Sequence, residues 1–455
     1  MARAGSPAVE AASDVIVIGA GASGLAAARV LSDHDLKVIV LEARDRIGGR
    51  VFTLHDPSSP VPIELGAEFI HGQPEATFRI VEAANLAACD VVGANLDIES
   101  NACARPRDHG EIASVLERLD ASVPRTWSIA RFLASDRVAD LPPRAIALAR
   151  AYVEGLYAAP ADRLAASAVR EAERALGQPG PEPTFRVLSG YDRILAWLRS
   201  GLGSTELHLR TVVREVRWKP GQVRVSAISP HGQPLEFRAP KLVVTLPVGV
   251  LKASPGELGA VRFVPALKEK RRALSHIEMG SAFRITLRFR NRFWEGLRTR
   301  DGSCSFADVS FLHSVDAYFP TWWTQLPVRA PLWVGWSGGP AAHRVAELDE
   351  AARVERAIRS LADLLDVSPD LVGAHLDGHY LHDWHDDPFT RGAYSYVAVR
   401  GEDGPRQLAE PIADTLFFAG EATEPPSSSG TVAGALASGT RAARQVLASR
   451  RRRRR

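Results

Sequence analysis

The first clear pattern begins at Asp14. Val15 to Ile18 is an unbroken β-branched run with no polar alternation, as in a parallel strand buried on both faces. Gly19-Ala-Gly21-Ala-Ser23-Gly24 follows at once, and the alanine- and leucine-rich stretch Leu25 to Leu31 favours helix. A second buried run, Lys37 to Leu41, ends at Glu42. Strand, glycine turn, helix, strand and terminal acid stand in the order of a dinucleotide-binding βαβ unit. Further along, Thr211 to Trp218 and Leu242 to Pro247 read as strands, and Ile146 to Leu156 and Val432 to about Ser449 read as helices. The proline-rich stretch Gln178 to Pro183 reads as a crossing between domains. Residues 1–13, small and polar, and the arginine run 450–455 read as disordered tails.

The apolar stretch Val15 to Leu31 has a second reading, as a signal or membrane segment. It is short for a span, is broken by Gly19, Gly21, Ser23 and Gly24, and follows an acid rather than a basic leader. No membrane contact is expected.

The physics of the βαβ unit assigns roles. Gly19 permits the tight turn, Gly21 lets the backbone approach a pyrophosphate, and Gly24 lets the helix pack close to the strand. The helix N-terminus offers free N–H groups to phosphate. Glu42 is placed to accept hydrogen bonds from both ribose hydroxyls, and an acid there disfavours a 2′-phosphate and hence NADP.

Composition narrows the class. The chain has 455 residues, 45% hydrophobic and 24% charged, which suits a globular protein of one to three domains. Its formal charge is +3; with the six terminal arginines set aside the body carries −3, so no nucleic-acid partner is expected. Cys89, Cys103 and Cys304 make neither a metal spacing nor a disulfide framework, which points to a reducing, cytoplasmic setting. His379, His382 and His385 look like a metal cluster, but a spacing of three does not put them on one face of a strand, and no metal is expected.

Several further motifs recur. Glu42-Ala43-Arg44-Asp-Arg46-Ile-Gly48-Gly49-Arg50 extends the βαβ unit, and Glu64-Leu-Gly66-Ala67-Glu68-Phe69 follows. Leu416-Phe-Phe-Ala-Gly420-Glu421-Ala-Thr423 and Gly430-Thr431-Val432 to Gly439 stand near the other end. With these the chain resembles the flavin-containing amine oxidases, the family of monoamine oxidases, polyamine oxidases and lysine-specific histone demethylase, over roughly residues 14 to 447. The segment Arg391 to Ala398 is most similar to the demethylase branch, and His71 in Phe69-Ile-His71-Gly72 to the animal polyamine oxidases.

The resemblance implies an α/β fold in which a Rossmann-type FAD-binding domain (14–90, 185–280, 403–449) is interleaved with an α+β substrate domain (91–184, 281–402). It implies FAD contacts from Ser23, Ala43, Gly49, Gly66, Ala67, Glu68 and Gly420 beside the glycines and Glu42. Arg44 and Arg50 would flank the nucleotide and pyrophosphate. Val213 would pair its backbone with the adenine, Glu421 would bind the ribityl and pyrophosphate region, and Thr431 and Val432 would lie beside the isoalloxazine ring. The reaction implied is hydride transfer from the C–H next to an amine to flavin N5. Imine hydrolysis follows, and molecular oxygen is reduced to hydrogen peroxide.

Three positions depart from or vary on that pattern. Ala393 stands where monoamine oxidases bond the flavin through cysteine, so FAD is expected to be noncovalent. Tyr394 aligns with an aromatic residue flanking the flavin, but Thr431 replaces its second tyrosine. Arg284 replaces the usual lysine that holds a water near N5; arginine keeps the charge but is planar and does not deprotonate. With His71, placed to bind or steer an amine, Arg284 and Tyr394 are the candidate catalytic residues. Trp384 and Phe389 are further pocket candidates. The Arg284 exchange keeps two alternatives open. One is a dehydrogenase or desaturase that does not use oxygen; the other is a FAD-binding protein of low activity acting through a partner.

Overall fold

A computed structural model describes residues 8–98, 104–175 and 183–453. The proline-rich stretch 178–183 falls almost wholly outside the described residues, as does Cys103.

The apolar run after Asp14 resolves into strand Val15–Ile18, a turn and helix Ala22–Ser32, followed by strand Val38–Leu41. These strands sit inside a five-stranded parallel sheet in the order Glu206–His208, Val38–Leu41, Val15–Ile18, Leu242–Val244 and Leu416–Phe418. All four residues of Val15–Ile18 and of Val38–Leu41 are buried, because both faces are covered. One face carries helix Ala22–Ser32 and the C-terminal helix Val432–Arg453. The other packs on a second five-stranded sheet that includes Val212–Lys219, Gln222–Ile228 and Pro234–Ala239.

The two covering helices approach closely. A Cβ at Gly439 would stand 2.1 Å from the Ser23 carbonyl, and one at Gly24 would stand 1.9 Å from the Gly19 carbonyl. Glycine is therefore required at both positions.

A seven-stranded sheet forms the second large layer, in the order Leu376–Leu381, Ala282–Phe289, Leu332–Gly338, Thr321–Trp323, Val309–His313, Ala94–Ile98 and Ala104–Pro106. One side carries an aromatic core with Trp294, Trp322 and Trp333 under helix Glu350–Leu365. The other side faces a cavity. Helices His109–Leu116, Pro143–Leu156 and Ala166–Ala175 close that cavity from above.

Two expectations for the tails are corrected. Ala8–Ala12 is a strand, parallel to Pro234–Ala239, because the edge of the second sheet offers it a free ladder. The C-terminal helix continues through Arg453, and Arg450 reaches Asp14 at 3.4 Å. No helix among the described residues is long and apolar enough to cross a membrane.

Candidate active site

One cavity of about 1390 Å³ runs between the parallel sheet and the seven-stranded sheet. Its nucleotide end is built by the βαβ unit. Gly19 has φ +103°, which only glycine adopts without strain. Gly21 starts the helix with no side-chain cap, so the first helical N–H groups are left for a ligand. A Cβ at Gly21 would meet nothing closer than 3.9 Å, and one at Gly420 nothing within 4 Å. These glycines therefore border open space, whereas Gly24 serves the packing alone and does not line the cavity.

Glu42 is buried at the mouth of this cradle. Its carboxylate accepts the N–H groups of Ala20 at 2.7 Å and Arg44 at 2.9 Å, which fixes its aim. Strand Val212–Lys219 enters beside it: the Thr211 N–H donates to the Glu42 carbonyl at 2.8 Å, and Val213 lines the cavity. Uncapped helix, oriented acid and bare glycine backbone fit the phosphates and ribose of a dinucleotide.

The arginines are placed differently from each other. Arg44 lines the cavity with Ala43, but its Nη2 donates to Asp387 at 2.6 Å and to Thr390 at 2.7 Å. Against the effect of burial, hydrogen bonds from His382 and Arg44 hold the Asp387 carboxyl well below its usual range. Arg50 donates to Glu421 at 2.8 Å and to the Ala393 carbonyl at 3.0 Å. Glu421 also accepts from the Ser395 hydroxyl at 2.6 Å and the Gly430 N–H at 3.0 Å. Expected as a direct cofactor ligand, Glu421 is tied on every side to protein donors that shape the wall. Thr431 accepts the Gly434 N–H at 2.9 Å and so caps the C-terminal helix, with Val432 at its start. Ser23, Gly49, Gly66, Ala67, Thr431 and Val432 all line the cavity.

The inner end holds the departures from the family pattern. Arg284 lies on strand Ala282–Phe289, 5% exposed. Its Nη2 meets Glu68 Oε2 at 2.5 Å, its Nη1 donates to the Gly66 carbonyl at 3.1 Å, and its buried Nε has no partner. Glu68 is shared: Arg186 Nε donates to Oε1 at 2.7 Å, and Trp323 Nε1 donates to Oε2 at 3.1 Å. Burial would raise the Glu68 carboxyl, but the guanidiniums of Arg284 and Arg186 hold it below its usual value. Glu68, expected as a FAD contact, is thus the anion between two cations, because its oxygens meet the arginines first. Arg284, expected as a water holder, spends both terminal nitrogens on protein acceptors.

His71 lines the cavity with its side chain exposed there, its ring centroid 6.2 Å from that of Phe69. The surrounding protein lowers its pKa, which favours the neutral imidazole. Tyr394 donates its hydroxyl to the Leu156 carbonyl at 2.7 Å, and burial pushes its pKa up. Trp384 donates to the Leu65 carbonyl at 2.8 Å, and Phe389 lies under Arg44; both line the cavity. The three clustered histidines part company: His379 meets Glu350, His382 meets Asp387, and His385 lies edge-on to His343. Arg186 and Trp323 were not anticipated. A lone arginine inside the apolar strand Thr184–Val187 was the available signal.

Glycine turn, oriented acid, uncapped helix and an aromatic chamber in one cavity define an oxidoreductase built on a dinucleotide-binding sheet. Residues 22–98 and 128–447 match the family described as flavin containing amine oxidoreductase, and the chain belongs to that family. It is 29% identical to polyamine oxidase 2 of Arabidopsis thaliana, over 94% of this chain and 87% of that one. It is 28% identical to lysine-specific histone demethylase 1 homolog 3 of the same plant, over 95% of this chain but only 30% of that protein's length. A structure of putrescine oxidase bound to putrescine superposes with a TM-score of 0.78 at 21% identity, covering 96% of this chain and 99% of that one. Cyclohexylamine oxidase from Brevibacterium oxydans IH-35A superposes with the same score at 20% identity, with the same coverage. The amine oxidase fold and a flavin-dependent amine oxidoreductase follow.

Proposed function

We propose that the protein binds FAD noncovalently and oxidises a small amine, with molecular oxygen as the electron acceptor. The observation that carries this reading is the single cavity. It joins the Gly19–Gly24 turn and Glu42 to a chamber walled by Tyr394, Trp323, Trp336 and Phe311, with His71 bare inside it. The nucleotide half would comprise 14–90, 185–280 and 403–449, and the substrate half 91–184 and 281–402. Gly19, Gly21, Ser23, Glu42, Ala43, Arg50, Gly66, Ala67, Val213, Gly420, Thr431 and Val432 would hold the cofactor. Held there, FAD would supply the hydride acceptor for the C–H next to the amine nitrogen.

The chain's own residues prepare the amine. Aromatic walls exclude water and favour the uncharged amine, the form that loses hydride. The neutral ring of His71 is placed to accept a hydrogen bond from that nitrogen and hold it in one orientation. The amine gives up two electrons and two protons to become an imine. Water then hydrolyses the imine to a carbonyl compound and a shorter amine or ammonia, and dioxygen takes the two electrons and two protons to become hydrogen peroxide. Cys89 and Cys304 are free, which accords with a reducing compartment such as the cytoplasm.

The engagement of Arg284 by Glu68 favours one second reading, a dehydrogenase that passes electrons to an acceptor other than oxygen. Anaerobic mixing with an amine panel tests both. Flavin bleaching followed by peroxide on admitting air supports the oxidase. Bleaching with no peroxide supports the dehydrogenase. No bleaching by any amine overturns both and leaves a FAD-binding protein acting through a partner.

A further inference from the structure

The seven-stranded sheet lays a single row of side chains along the cavity. Arg284 pairs with Trp336, Trp336 with Thr321, Thr321 with His313, and His313 with Asp97. All five line the cavity. Neighbouring strands lie about 4.8 Å apart, so four spacings put Asp97 about 19 Å from Arg284. The adjoining row supplies Trp323, Phe311 and Asn95. The wall therefore runs from the Arg284 end, across the aromatic rings of Trp336, Trp323 and Phe311, to a polar end.

That polar end has its own architecture. Arg107 Nη1 donates to Asp97 Oδ1 at 2.7 Å, each side chain 9% exposed. His313 stacks on Phe311, ring centroids 6.0 Å apart, and its Nδ1 meets the Thr321 hydroxyl at 3.3 Å. His109 opens the helix above. The buried Oδ1 of Asn95 has no partner, and a turned amide would present donors there instead.

Burial first, then Arg107, lowers the pKa of both His313 and His109; at His109, Asp97 and Asp108 oppose it, each by less than Arg107. The other end of the corridor holds two guanidiniums on the one carboxylate of Glu68. Among the described residues that line this end of the cavity, the other carboxyls are Glu117, which is exposed, and Glu173, which burial pushes towards its neutral form. A far end whose buried acid, Asp97, is already held by Arg107 offers a second ammonium group no unpaired buried carboxylate.

We propose that Asn95, Asp97, Arg107, His109 and His313 form a distal subsite for a carboxylate, so that the substrate is an amine bearing a carboxylate at the far end of an apolar chain. Arg107 and the imidazole N–H groups donate to the carboxylate, Asp97 holds Arg107 in place, and the aromatic row receives the chain between. The proposal rests on the amine oxidase reading for the chemistry but not for the binding.

Straight-chain ω-amino carboxylates, the diamines of equal length and the corresponding alkylamines are the probes, used with the flavin-loaded protein. Under anaerobic conditions the ω-amino carboxylate is expected to half-saturate flavin bleaching at a roughly tenfold lower concentration than the diamine, the effect of one charge-assisted hydrogen bond. Arg107→Met should abolish that preference. The double variant Asp97→Asn with Arg107→Met removes the pair without stranding a charge, and His313→Phe keeps the stack while removing the donor. A straight-chain carboxylate without an amine gives a second readout, since it should raise the melting temperature of the parent and not of these variants. Preference for the diamine, or a carboxylate preference that survives in the folded variants, overturns the subsite. If no amine bleaches the flavin while carboxylate binding is present in the parent and lost in the variants, the subsite stands and the oxidase reading falls.

Discussion

Arg284 and Glu68, 216 residues apart in the chain, meet at 2.5 Å, and Arg186 takes the other oxygen of the same carboxylate at 2.7 Å. One acid thus neutralises half the charge of two buried guanidiniums and joins strand Thr184–Val187 to strand Ala282–Phe289. Removing the acid strands both cations. Glu68→Gln is expected to lower the unfolding free energy by about 3–5 kcal/mol, the scale for breaking a buried pair on one side. Denaturant unfolding measures it, and a loss below about 1 kcal/mol would remove the triad from the account of stability.

Arg284→Met leaves Glu68 with Arg186, so it should fold. Because both terminal nitrogens of Arg284 are held by Gly66 and Glu68, reoxidation by oxygen and reduction by amine are each expected to stay within a few-fold of the parent. Stopped-flow absorbance reads each separately. Equal slowing of both would make Arg284 a substrate-positioning group instead. Arg284→Lys, with one point charge in place of the fork, should lose the bond to either Gly66 or Glu68.

Ala393 offers no atom for a flavin bond. Acid denaturation should therefore release all of the yellow colour into the supernatant, and colour retained by the precipitated chain contradicts noncovalent attachment.

Glu42→Ala should weaken FAD binding by about 1–3 kcal/mol, as for hydrogen bonds to a charged acceptor. The same change frees the Ala20 and Arg44 N–H groups, so the loop loses its aim together with its ligand. Titration of the apoprotein with FAD measures it, and unchanged affinity would exclude Glu42 as the ribose ligand.

Glu64 is buried against Thr53 and Tyr191, and burial raises its carboxyl from 4.5 to about 8. The native state then holds a proton that the unfolded chain releases near pH 4.5. Its stabilising effect is complete below that pH and is lost as pH rises towards 8, at up to about 1.4 kcal/mol per unit. Glu64→Gln should flatten the stability profile across that window. A slope unchanged in the variant would assign the titration to another group.

The nucleotide cradle was legible because its determinants are local. Gly19, Gly21, Gly24 and Glu42 act through one turn and two neighbouring strands, so spacing alone specifies them. The ion pairs were not legible, since Arg44 meets Asp387 across 343 residues and Arg50 meets Glu421 across 371. Motif order implied that these side chains flank a nucleotide, and both line the cavity, but it could not say that protein acids would claim them. Strand Ala8–Ala12 escaped for a related reason: its ladder partner, Pro234–Ala239, lies far along the chain. Helix Val432–Arg453 was visible in its periodicity, and only its last turn ran beyond the expected end.

The parallel sheet closes with strand Leu416–Phe418, Arg50 waits for Glu421, and helix Val432–Arg453 covers the helix that follows the glycine turn. Residues 416–453 must therefore be in place before residues 15–50 can settle. Until then the first βαβ unit has one flank uncovered and its cradle lacks a wall, so the site is completed by a contact of high sequence separation and not by the unit that carries the glycine turn.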